Sequence, residues 1–120
     1  MLYSVEDKKQ IEKVIGVFQE YINGSDYLDI VYAKKLGYIL LKIELKSRDI
    51  MESIVIENAE ELVTELFSEI AMDVVEMTGN DHAIANADPL ERAEIERRLA
   101  VYKEKLPEYA KLADSLEFLE

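Results

Sequence analysis

Apolar positions recur along this chain with two different periods, and the switches between them mark out its elements. Ser4 followed by Asp7 predicts a helix cap, after which Ile11, Val14, Ile15, Phe18 and Ile22 share one helical face. Asn23-Gly24 is expected to end that helix in a left-handed conformation. The period then drops to two. Tyr27 to Ala33 alternates with Leu28, Ile30 and Tyr32 on one side. Tyr38 to Leu45 alternates with Ile39, Leu41, Ile43 and Leu45 on one side and Tyr38, Lys42 and Glu44 on the other. Lys34-Lys35-Leu36-Gly37 joins them as a short loop, which predicts an antiparallel hairpin. Lys46 to Asp49 makes a further polar turn, and Ile50 to Ile56 returns as an optional third strand without clean alternation.

The helical period resumes at Asn58, which with Glu61 three residues on has the spacing of a capping box. Leu62, Val63, Leu66, Phe67, Ile70, Ala71 and Val74 give this helix a broad apolar face, and Gly79 is its expected stop. Asp88-Pro89 predicts the start of another helix, with a narrow seam of Ile95, Leu99, Tyr102 and Leu106. Pro107 should break it, leaving a last helix with Tyr109, Leu112, Ala113, Leu116 and Leu119 inward. The expected fold is α+β in the order α-β-β-(β)-α-α-α. A small antiparallel sheet packs against helices, a helical pair closes the C-terminal end, and residues 1–120 form a single domain.

Charge changes this picture by singling out one segment. The 120 residues carry 26 acids against 14 bases, a net charge of −12. Twelve of the acids lie between Asp49 and Glu91, a stretch without Lys or Arg, so the other 14 acids balance the 14 bases. Such an excess repels phosphate backbones at long range, which counts against nucleic acid as a partner and favours a basic one. On the central helix Glu61, Glu65, Glu69, Asp73 and Glu76 follow at spacings of four, four, four and three, and are expected to form a solvent-facing acidic line. That line is the candidate partner-binding site. Arg92, Arg97, Arg98 or Lys103 of the next helix could also answer it inside the fold.

Catalytic chemistry has few residues to draw on. No cysteine is present for a disulfide, thiolate metal site or nucleophile, and no apolar run is long enough for a membrane span, so a cytoplasmic location is expected. The serines lack Gly-x-Ser-x-Gly, and Gly16, Gly24, Gly37 and Gly79 stand apart, so neither a serine nucleophile nor a phosphate-cradling loop is predicted and no cofactor is expected. His82, the one histidine, could join Asp73, Glu76 and Asp81 in a metal-dependent site, although no recognised ligand spacing surrounds it. Against the overall charge, Lys34 and Lys35 sit between Tyr32 and Tyr38, an arrangement that can hold single-stranded nucleic acid by stacking and phosphate contact. Leu90, Val101 and Phe118 lie outside the main helical seams and suggest a homodimer through the last two helices. The leading expectation is a non-catalytic interaction or regulatory module that docks a basic partner on the acidic helix face. A small metal-dependent enzyme and a nucleic-acid-related role, by lysine-hairpin binding or DNA mimicry, are the alternatives.

Overall fold

A computed structural model describes residues 2–77 and 87–116. In chain order the elements are α1 (Val5–Gly24), β1 (Leu28–Ala33), β2 (Gly37–Ile43), β3 (Ile50–Val55), α2 (Ala59–Met77), α3 (Pro89–Lys105) and a 3-10 helix (Pro107–Ser115). The fold is α+β with one antiparallel sheet in the order β1-β2-β3, so the optional third strand is real. The chain divides into two compact units, Met1–Leu62 and Val63–Glu120.

In the first unit, α1 begins where Ser4 Oγ accepts the Asp7 N–H at 3.0 Å, the predicted cap. Its end differs from the expectation. Gly24 stays helical, and the extended Ser25 stops the helix while its N–H reaches the Ile22 carbonyl at 3.2 Å. No left-handed residue is needed there, because the chain turns directly into the approach to β1. Positive φ is used instead at Gly37, at 88°, which closes the three-residue loop of the β1–β2 hairpin, and at Arg48, at 63°, in the β2–β3 turn.

The register decides which face of the sheet is covered. Ile30 pairs with Leu40 and Tyr32 with Tyr38, so Leu28, Ile30 and Tyr32 share a face with Tyr38, Leu40 and Lys42. Leu28 and Leu40 are buried on that side, as are Ile11, Val14, Phe18 and Ile22 of α1, which contacts β1. The more uniformly apolar row of β2, Ile39, Leu41 and Ile43, lies on the opposite face with Val31 and Val55, which are 38% and 42% exposed. Alternation alone names two faces; it does not say which one the helix takes.

Tyr3 fastens the start of the chain to the sheet. Its hydroxyl accepts the Tyr38 N–H at 2.9 Å and donates to the Ile56 carbonyl at 2.6 Å. The Ile56 N–H in turn donates to the Tyr38 carbonyl at 2.9 Å, which carries β2–β3 pairing one residue past the strand.

In α2, the Asn58 side chain accepts the Glu61 N–H at 2.8 Å, the predicted cap. Its broad apolar face is buried from Leu62 to Val75, with Phe67 and Leu66 fully enclosed. The predicted stop at Gly79 lies outside the described residues. Within the second unit α3 opens with a full capping box: Asp88 accepts the Glu91 N–H at 2.8 Å, and the Glu91 carboxylate accepts the Asp88 N–H at 3.0 Å. Those bonds let Glu91 sit buried one turn before Ile95 and two before Leu99. The predicted last helix is 3-10 from Pro107 to Ser115 and packs against α3. Pro107 has no N–H to donate, and the first turn closes from the Tyr109 N–H to the Leu106 carbonyl at 3.0 Å. Leu106, Tyr109 and Ala113 are its inward side, and Leu119 lies outside the described residues.

Candidate binding surfaces

The acidic line on α2 is less open than its spacing predicts. Glu76 is exposed and Glu61, Glu65 and Asp73 are half-buried, but Glu69 is only 8% exposed. Glu61, Glu69 and Asp73 each interact with a neighbouring residue. On a 3.6-residue helix the five residues span only about 120°, with Glu69 between the exposed Glu76 and the half-buried Asp73, so the burial of Glu69 does not follow from the spacing. The expectation of one solvent-facing row is therefore corrected at Glu69. On α3, Arg97 and Arg98 both converge on Glu94, Arg98 Nε at 2.9 Å. The Arg97 hydrogen bonds first, and the Arg98 bond after them, hold the Glu94 carboxyl down at about 2.

Of the residues named for a metal-dependent site, Asp73 and Glu76 lie among the described residues. Asp81 and His82 lie outside the described residues. Among those described, no three His, Asp or Glu side chains come together in a way that could hold a metal ion. No helix among them is long and apolar enough to cross a membrane. Leu90 and Val101, three turns apart on α3, are 83% and 51% exposed, whereas Phe118 lies outside the described residues.

The first unit holds a feature that the sequence shows only in part. A groove of about 840 Å³ runs between the start of α1 and the hairpin tip, lined by Tyr3, Ser4, Lys8, Lys9, Glu12, Tyr32, Lys34 and Lys35 among others. The α1 cap and its 3.6-residue turn bring Lys8 and Lys9 to this side, and the β1–β2 loop brings Lys34 and Lys35. Four lysines thus face one carboxylate, and none of the four forms an ion pair among the described residues. The wall is aromatic. Tyr32 meets the ring of Tyr38 edge-on at 4.9 Å, and Tyr38 stacks on Tyr3 at 6.2 Å. Burial, and after it the charge and hydrogen bond of Glu12, push the Tyr38 hydroxyl up from its ordinary value, which keeps it a neutral donor engaged with Glu12. The lining carboxylate is thereby occupied by a partner of its own.

Lys34, Lys35, Tyr32 and Tyr38 were legible in the sequence as a hairpin tip. Tyr3, Lys8 and Lys9 were not, because they lie more than twenty residues away and no local pattern links a helix start to a strand turn. A groove with unpaired cations, an aromatic wall and a volume in the range of small-molecule sites can take an anion that also presents a flat apolar face. No protein-family model, curated protein or solved structure matches this chain.

Proposed function

We propose that this chain is a non-catalytic, cytoplasmic interaction module that engages an anionic ligand through the lysine–tyrosine groove. The observation that carries it is four unpaired lysines around one concave surface on a protein of net charge −12. Unanswered cations repel one another, so a site that gathers four is stabilised by an anion. The test is binding of tripolyphosphate at low salt to the full chain, by calorimetry. Lys34→Glu combined with Lys35→Glu should weaken it at least tenfold, since each substitution removes an attraction and adds a repulsion. Equal binding by wild type and variant would sink the reading.

A second surface supports self-association. Leu90 and Val101 project from α3 on the side away from the buried Ile95 and Leu99, and homodimers ordinarily bury such residues. We propose a homodimer through α3 and the 3-10 helix. Light scattering at micromolar concentration should give about twice 13.8 kDa, and Leu90→Glu should return the monomer. A monomeric wild type removes the proposal. For a basic protein partner the acidic α2 offers the exposed Glu76, while Glu61, Glu65 and Asp73 are half-buried and Glu61 and Asp73 already interact with other residues.

A further inference from the structure

We propose that the groove's ligand is a free nucleoside phosphate, whose base lies against Tyr32 and whose phosphate is held by Lys8, Lys9, Lys34 and Lys35. This rests on the reading of the groove as an anion site and adds what the aromatic wall selects. Inorganic phosphate would use the lysines and leave the tyrosines idle. Tyr32 is 51% exposed, while its ring is braced edge-on by Tyr38 at 4.9 Å and Tyr38 is braced by Tyr3, whose hydroxyl is fixed at both ends by backbone. A half-open ring held in this way is a preformed stacking platform, and little side-chain freedom is lost when a base settles on it.

The lysines are placed to serve the other end of such a ligand. Lys8 Nζ stands 5.7 Å from the centre of the Tyr32 ring, at the outer limit of the cation–π range, so it yields the ring to a base at small cost. From there it remains beside Lys9 and opposite Lys34 and Lys35 along the same groove. A volume of about 840 Å³ suits a mononucleotide with its hydration.

A long strand is a poorer occupant. It would have to run on past the groove, along a protein whose net charge is −12 and whose α1 carries the exposed Glu6 and Asp7 in its first turn. The phosphate chemistry is shared by the free nucleotide and the strand, and charge separates the two.

Calorimetric titration of the full chain with adenosine monophosphate, ribose 5-phosphate and a ten-residue oligothymidylate, at one low salt concentration, tests this directly. Adenosine monophosphate should bind at least fivefold more tightly than ribose 5-phosphate, the gain expected from stacking one base on an aromatic side chain. Tyr32→Leu should erase that difference and leave ribose 5-phosphate unchanged. The oligonucleotide should bind no more tightly than the mononucleotide. Equal affinities for adenosine monophosphate and ribose 5-phosphate in the wild type would overturn the inference while tripolyphosphate binding kept the anion reading. A tighter oligonucleotide would overturn the choice of a free nucleotide. Absence of binding by all three, together with lysine-independent tripolyphosphate titrations, would remove both.

Discussion

Gly37→Ala should destabilise the first unit by about 2–4 kcal/mol, and most of that cost should vanish when Tyr3 is also shortened. Two effects act at this position. Gly37 closes the hairpin loop at φ 88°, a conformation that costs an L-residue about 1 kcal/mol or more. A Cβ built there would also run into the Tyr3 side chain, 2.8 Å from Cζ and nearer still to the hydroxyl. That hydroxyl cannot swing aside freely, because it is bonded to the Tyr38 N–H and the Ile56 carbonyl. Making room would break both bonds, and a buried polar group left without its partner costs about 1–3 kcal/mol. In a Tyr3→Ala background the clash is gone, so Gly37→Ala should cost only the backbone part, about 1 kcal/mol. The check is a double-mutant cycle by chemical denaturation. Additive costs would show that Tyr3 does not sit over the turn, and the aromatic brace behind Tyr32 would fall with it.

Reversing the charge at Glu69 should destabilise the protein by about 1–3 kcal/mol, although the same change at Glu76 should stabilise it by about 0.3–1 kcal/mol. Spacing treats the two positions alike. Each has an acidic neighbour three or four residues away, and a lysine would convert about 0.2–0.5 kcal/mol of repulsion per pair into attraction. Burial separates them. Glu76 is exposed in the last turn of α2, where no basic residue offsets the negative end of the helix, so Glu76→Lys gains from its neighbours and from the helix dipole. Glu69 is 8% exposed and already interacts with a neighbour. Glu69→Lys would break that interaction and put a longer, charged chain where little water reaches, and these losses outweigh the gain along the helix. Denaturant midpoints of the two single variants decide it. Stabilisation by both would mean that the acidic line faces solvent along its whole length.

The elements of this protein were legible because each carries its own local chemistry. Ser4, Asn58 and Asp88 each place a side-chain acceptor where a helix leaves free N–H groups, so three helix starts could be read from neighbours within three residues. The hairpin followed from a glycine-containing loop between two alternating runs. Helix stops were harder to read. Gly24 has the composition of a left-handed stop and does not act as one, since an extended Ser25 does the same work. The 3-10 winding after Pro107 was likewise hidden, because residues spaced for an α-helix leave an inward row under either winding.

What the tertiary structure alone decided is which faces are covered and which distant residues meet. Period-two alternation gave β2 an Ile39, Leu41 and Ile43 side, but the sheet turns Leu40 towards the covered face, where Leu28 and the apolar side of α1 are also buried. Four-residue spacing lined up five acids, yet Glu69 is buried while Glu76, its near neighbour around the helix, is exposed, a difference that packing decides and spacing does not. The groove is the clearest case. Lys8 and Lys9 are unremarkable on an exposed helix, and Lys34 and Lys35 are ordinary at a hairpin tip. They line one groove only because the start of α1 is pinned against the hairpin, and that pinning is a long-range contact between Tyr3 and the strand backbone that no short window of sequence contains.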